Sequence, residues 1–112
     1  MSSPFEQFSE RWRDRRSDRR VPVRCPATIW VPNRGVSFDA TCLDLSASGM
    51  SLHCNYVPRY GEQLDVSVWT PDIAGQPAKP LHVRVEVAHC MEVKRGSVYE
   101  LGVRTLNVLA AP

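Results

Sequence analysis

Apolar and polar residues alternate through most of the chain with a period of two, which is typical of half-buried β-strands. The first run covers residues 21–31, and a tight turn at Asn33-Arg34-Gly35 leads into a second run over residues 36–42. The same pattern recurs after polar turn segments, at residues 50–54, 63–70, 81–87 and 98–104. The pattern therefore predicts six antiparallel strands.

Each predicted strand has its apolar residues on one face, and an open sheet would leave that face in water. Closing the sheet buries the face and removes the exposed edges, so we expect an all-β fold with a small six-stranded antiparallel β-barrel. Pro22 and Pro26 cannot donate ladder hydrogen bonds, so the start of the first strand should lie at an edge or a bulge.

The first residues follow a different pattern. Ser3, Pro4 and Glu6 form a helix-start signature, which predicts a short N-terminal helix from about residue 4 to residue 15. An apolar face of this helix, formed by Phe5, Phe8 and Trp12, packs against the chain's own sheet or meets a partner, and a homodimer is one way to cover it. Because residues that precede proline disfavour the helix, residues 16–21 are expected to form a mobile connector. The predicted organisation is helix and arginine-rich connector at 1–20, barrel at 21–106 and tail at 107–112.

With 112 residues, of which 43% are hydrophobic, the chain suits one domain. The four cysteines have no C-x-x-C spacing, which favours reduced thiols and a cytoplasmic protein. No run approaches 18 apolar residues, so no membrane span is expected. The three histidines lack metal-ligand spacing, and no nucleophile or phosphate-binding glycine loop can be argued. We therefore expect no metal, no cofactor and no enzymatic activity.

Charge is concentrated near the start of the chain. Residues 11–24 contain seven Arg and two Asp, whereas residues 25–112 contain seven Lys or Arg and eight acidic residues. A local basic segment suits a small dianionic ligand better than a long polyanion, which needs a broad basic face. Four of these arginines lie within residues 15–20, and their planar guanidinium groups fit phosphate oxygens and stack on aromatic faces.

A second polar segment separates the second and third predicted strands. In Asp44-Leu45-Ser46-Ala47-Ser48-Gly49 the Asp and Ser suit a base edge, and Gly49 permits a tight turn. Asp44 alternatively only caps its own turn. Arg16-x-x-x-Arg20, followed by Asp44-x-Ser46-x-x-Gly49 and by Leu101-Gly102-Val103, resembles the PilZ domain family, which binds the bacterial second messenger cyclic di-GMP. The resemblance covers about residues 15–106.

This resemblance implies a ligand on the outside of the barrel, with the arginine connector wrapped over it. Arg16 and Arg20 would bind phosphates and stack on guanines, while Asp44 and Ser46 would contact a guanine edge. Further residues implied near the ligand are Gly49, for close approach, and His89, at the end of the fifth strand. An arginine at the position of Arg15 is associated in the family with two intercalated ligands per chain, and Arg19 adds another cation.

The leading hypothesis is a cyclic di-GMP receptor that signals to an unidentified effector protein through its connector. A small barrel that binds single-stranded nucleic acid is an alternative. Against it, Trp30 and Trp69 are the only aromatic residues at predicted outward strand positions, and the predicted barrel is not basic, so neither DNA nor RNA is expected. A protein-interaction module that has this fold but no ligand is a third possibility.

Overall fold

The computed structural model of the protein describes residues 19–70 and 80–109. The predicted N-terminal helix and the first part of the connector lie outside these residues. The described part is all-β, with six strands: β1 (Val21–Val31), β2 (Val36–Leu45), β3 (Gly49–Cys54), β4 (Gln63–Trp69), β5 (Pro80–Lys94) and β6 (Val98–Val108). The predicted set of six antiparallel strands is confirmed. None of the described residues belongs to a helix with the length and apolar character of a membrane span.

The strands are hydrogen-bonded in the order β1-β2-β3-β6-β5-β4, and β4 also pairs with β1, so the sheet is a closed barrel. The closing pair is short, because it joins only residues 27–30 of β1 to residues 65–68 of β4. The earlier part of β1 pairs with β2 alone, with an irregularity between Pro22 and Cys25. The two prolines at the start of β1 therefore occupy a bulged, one-sided segment, as their missing N–H donors require.

The inward side chains of all six strands form one apolar core. Its fully enclosed members are mainly aliphatic: Ile29, Val31, Met50, Leu52, Leu64, Val66, Val68, Val83, Val85, Val87 and Leu101. Three free cysteines, Cys25, Cys42 and Cys54, are buried with them, while the fourth, Cys90, is exposed. Trp30 and Trp69 are 43% and 54% exposed, so the predicted outward direction of both is confirmed.

Two regions differ from the sequence prediction, and bulges explain both. β2 continues to Leu45, so Asp44 lies in a strand rather than in the turn, and the register shifts between Cys42 and Asp44. β5 continues to Lys94 past irregularities that break its alternation after Val87, and β6 continues to residue 108 beside it. Because a bulge adds one residue to a strand, it interrupts the period of two on which the prediction depended.

Candidate functional site

The polar segment predicted to contact a ligand forms a compact turn between β2 and β3. Ser46 N donates to the Gly49 carbonyl at 2.9 Å, and Gly49 N donates to Ser46 Oγ at 3.2 Å. The Ser46 hydroxyl also donates to the Gly49 carbonyl at 3.2 Å. Thr105 N of β6 donates to the Ser48 carbonyl at 2.8 Å, which ties the turn to the barrel. In this arrangement Ser46 shapes the turn, and its predicted contact with a guanine stays a prediction.

Gly49 is needed for close approach within the barrel. A Cβ atom at this position would lie 2.1 Å from the carbonyl oxygen of Val103, which is backbone on the neighbouring strand β6. The φ angle of Gly49 is not in the left-handed region, unlike those of Gly35, Gly61 and Gly96. The contact with β6, rather than the conformation of a tight turn, explains this glycine, and its predicted closeness to a ligand stays a prediction.

An ion pair joins the two sequence motifs. Arg20 Nη1 donates to Asp44 Oδ1 at 2.7 Å, and the two side chains are 38% and 25% exposed. Arg20 directly precedes β1, whose residue Pro22 lies opposite Asp44 in the sheet. Arg20, the last of the four arginines within residues 15–20, is thus held at the end of β2, on a surface that a ligand can reach.

Cys42 contacts the backbone of Asp44 and adds no charge there. Cys42 Sγ donates to the Asp44 carbonyl at 3.3 Å. Burial is the main cause that raises the pKa of the Cys42 thiol to about 12, so this thiol is neutral at physiological pH. The negative charge beside Arg20 therefore comes from the Asp44 carboxylate and not from the thiol beneath it.

His89 lies on the same outer face of the barrel as Asp44. The sheet register pairs Asp44 with Ser51, Ser51 with Gly102 and Gly102 with His89. These four residues define a lateral row across β2, β3, β6 and β5, and three strand spacings make it about 14 Å long. The predicted candidates Asp44 and His89 are the two ends of this lateral row.

The middle of the lateral row was not identified as part of a site from the sequence. Ser51 carried no motif, and Gly102 was noted only as part of Leu101-Gly102-Val103. A glycine in the interior of a strand is a signal for close approach of another group, and that signal was available. Which side chain approaches Gly102 follows only from the register of β5 against β6, and the sequence alone does not give that register.

Of the other three predicted arginines, the structure describes only Arg19. Arg19 is described and exposed, next to Arg20 at the start of the barrel. Arg15 and Arg16 lie outside the described residues, so their ligand contacts stay predictions. The structure therefore places Arg20, Asp44, Ser46, Gly49 and His89 on one side of the barrel.

Away from the lateral row, an open groove of about 580 Å³ lies at the start of β2 and the end of β3. Its lining is mostly polar: Ser37, Phe38, Asp39, Thr41, His53, Cys54, Asn55, Ser97 and Val98. His53 is within 2.9 Å of Glu100, which satisfies its Nε2 atom. Among residues 19–70 and 80–109, no group of three or more His, Cys, Asp or Glu side chains is placed to hold a metal ion.

A family model for the PilZ domain matches residues 14–111. The chain belongs to the PilZ domain family. No curated protein sequence matches it.

Two solved structures resemble the fold. The inhibitor of motility MotI/DgrA of Bacillus subtilis superposes with a TM-score of 0.68 at 13% identity, over 86% of this chain and 44% of that one. The chain thus spans less than half of MotI. The PilZ domain of YcgR from Escherichia coli with c-di-GMP superposes with a TM-score of 0.61 at 16% identity, over 83% of this chain and 79% of that one. At these identities the likeness concerns the fold, and the site must be argued from this chain's own residues.

Proposed function

We propose that this PilZ domain is a receptor for cyclic di-GMP, and that it acts by binding rather than by catalysis. The observation that carries the proposal is the 2.7 Å contact between Arg20 and Asp44, because it joins the arginine motif to the turn motif on the outside of the barrel. Family membership and the c-di-GMP bound to the YcgR domain support the choice of ligand.

Asp44 supplies recognition of guanine. The Watson–Crick edge of guanine offers two N–H donors, and a carboxylate has two oxygens with about four acceptor sites. Arg20 uses Oδ1, and the remaining acceptor capacity of the carboxylate serves the base. The Arg20 guanidinium, whose planar fork fits phosphate oxygens and stacks on bases, then lies beside the same nucleotide.

The connector closes over the ligand. Arg16 would add a second guanidinium to the phosphates, and charge-assisted hydrogen bonds of this kind contribute roughly 1.5 to 3 kcal/mol each. Ordering a residue of the connector opposes this by about 1 to 2 kcal/mol. The balance favours an affinity around micromolar, which corresponds to about −8 kcal/mol.

Arg15 and Arg19 extend the proposal to two ligands per chain. Two stacked cyclic dinucleotides carry four negative charges, and further cations within a Debye length of about 8 Å reduce their mutual repulsion. A parent protein that saturates at one ligand, or an Arg15→Leu variant that still binds two, would remove this part of the proposal and leave the receptor assignment intact.

The output of the receptor is a changed surface at the connector, which an effector protein reads. The same surface is where a homodimer would form or dissociate. We place the receptor in the cytoplasm, where its free cysteines stay reduced.

Calorimetric titration with cyclic di-GMP tests the receptor assignment. The parent protein should bind, while Arg20→Ala and Asp44→Ala should each weaken binding by about 10- to 100-fold, since each removes a charge-assisted contact. Arg95→Ala is a matched control, because this exposed arginine lies in the β5–β6 turn. A single-stranded oligonucleotide is titrated in parallel.

A parent protein that binds no cyclic di-GMP would overturn the assignment. Binding of the oligonucleotide instead would favour the nucleic-acid alternative, and binding of neither would favour a ligand-free interaction module. Equal affinity of Arg20→Ala and the parent would show that the ligand lies elsewhere on the barrel.

A further inference from the structure

The side chains of the lateral row are long at its two ends and short or absent in its middle. Asp44 with its partner Arg20 forms one end, and His89 forms the other. Between them Ser51 has a short side chain and Gly102 has none. The row is therefore a shallow platform on the outside of the barrel, and its uncovered part lies at Ser51, between the Arg20–Asp44 pair and the His89 ring.

The imidazole ring of His89 lies over Gly102 on the outside of the barrel. A Cβ atom on Gly102 would lie 2.1 Å from Cε1, 2.5 Å from Nδ1 and 2.7 Å from Nε2 of that ring. These are the three nearest atoms, so the ring lies directly on the glycine, where no other side chain could leave it room. Gly102 is accordingly buried although its strand position faces outward, while His89 itself is exposed.

We propose that Gly102 is a positioning residue for ligand recognition. Its missing side chain lets the His89 ring lie across β6, where the ring forms the far wall of the platform and stacks against a purine base. This inference rests on the proposed receptor function and adds a second contact region over Gly102, two strand spacings or about 10 Å from Asp44, that the two motifs do not contain.

The physical reason is the flat shape of the group that Gly102 holds. Every purine has a π-face, and an aromatic side chain that presents a ring at a fixed angle stacks on it with little ordering cost. An alanine at position 102 would push the ring off the strand and tilt it. The base would then lose its stacking surface, even though His89 is still present.

The test is a double-mutant cycle on the full chain, read by calorimetry with cyclic di-GMP. His89→Ala should weaken binding by about 5- to 100-fold, the loss that corresponds to one base stacked on an aromatic ring. His89→Phe keeps a flat ring and should stay within about threefold of the parent. Gly102→Ala should resemble His89→Ala, and adding Gly102→Ala to His89→Ala should change nothing further.

His82→Ala is the matched histidine control. His82 lies outside the lateral row and is held by Ser67 at 2.7 Å, so its removal should leave affinity unchanged. Thermal unfolding of each variant checks the fold, and the His89 ring-proton signals in NMR should shift on ligand addition in the parent but much less in Gly102→Ala.

The outcomes separate this inference from the function on which it rests. If the parent binds cyclic di-GMP and His89→Ala binds equally well, the inference is overturned and the receptor assignment stands. If Gly102→Ala weakens binding equally in the presence and absence of His89, Gly102 acts through the strand and not through the ring. If the parent does not bind, both fall together.

Discussion

At the scale of single residues, two glycines on the β3–β6 pair are needed because a side chain there would clash with a neighbouring group. Their φ angles are not the reason. Gly49 leaves room for the carbonyl of Val103, which is backbone, whereas Gly102 leaves room for the side chain of His89. By contrast, a Cβ atom at Gly35 would meet nothing within 4 Å, and its positive φ explains the glycine. Backbone moves less readily than a surface ring. Substitution at Gly49 should therefore affect stability, and substitution at Gly102 should affect binding.

Gly49→Ala is expected to lower the free energy of unfolding by about 1 to 3 kcal/mol, because the added methyl group overpacks the β3–β6 contact. Urea unfolding followed by circular dichroism measures the change. Gly102→Ala is the matched control and should cost clearly less, since the His89 ring can swing into solvent. Equal costs for the two variants would mean that β3 and β6 yield as easily as a surface side chain.

Asp44→Ala is expected to narrow the discrimination between cyclic di-GMP and cyclic di-AMP by about 10- to 100-fold, because the carboxylate accepts from N–H donors that adenine lacks at the same edge. Competition calorimetry with both dinucleotides measures the ratio. Asp44→Asn keeps the shape and one oxygen, so its loss should be smaller. Unchanged discrimination in Asp44→Ala would reduce Asp44 to a partner of Arg20.

At the scale of strands, the sequence predicts the strand bounds well wherever the alternation of apolar and polar residues is unbroken. β1 has the predicted bounds, and β3 and β4 differ from them by one residue. β2 and β5 were predicted too short because their bulges shift the alternation. The residues of the candidate site likewise fall into those that a local pattern identifies and those that it does not. Asp44 and Gly49 stand in a local motif, but Gly102 and His89 become neighbours only when β5 and β6 pair, and no local pattern encodes that register.

Arg24 is the strained residue of the β1 bulge, with a φ of 47°. The left-handed region costs a non-glycine residue roughly 1 to 2 kcal/mol, and glycine in a strand costs about 0.5 to 1 kcal/mol for its own reasons, so Arg24→Gly should stabilise the protein by up to about 1 kcal/mol. Arg24→Ala removes the same side chain and keeps the strain, so it should not stabilise. Urea unfolding compares the two. A gain in the alanine variant that matches the glycine variant would attribute the effect to the lost arginine.

At the scale of the whole molecule, the closed barrel separates a neutral interior from a charged exterior. No charged or polar side chain of the described residues is buried, and the ion pair Arg84–Asp65 lies on the outside. The ionisable groups of the described core are the thiols and the phenol of Tyr56, which donates to Glu62 at 2.7 Å. In the proposed function, this scaffold holds the lateral row in place, and the ligand changes the connector rather than the barrel.

The buried thiols predict a loss of stability in alkaline solution. Burial is the main cause that raises the pKa of Cys42 from 9.0 to about 12, and it raises the pKa of Cys25 and Cys54 in the same direction. The folded state then keeps protons that the unfolded chain releases, so this stability is complete below pH 9 and is lost as the pH rises toward 12. Each such group steepens the fall by up to about 1.4 kcal/mol per pH unit.

Urea unfolding at intervals between pH 7 and pH 11 measures this fall, with reductant present to keep the thiols free. Cys42→Ala leaves a small cavity and should be less stable than the parent at pH 7. Its free energy of unfolding should nevertheless decline less steeply above pH 9, because the thiol whose pKa is raised to about 12 is gone. The two curves should therefore converge as the pH rises. Parallel curves would show that the Cys42 thiol does not control the alkaline limit of the barrel.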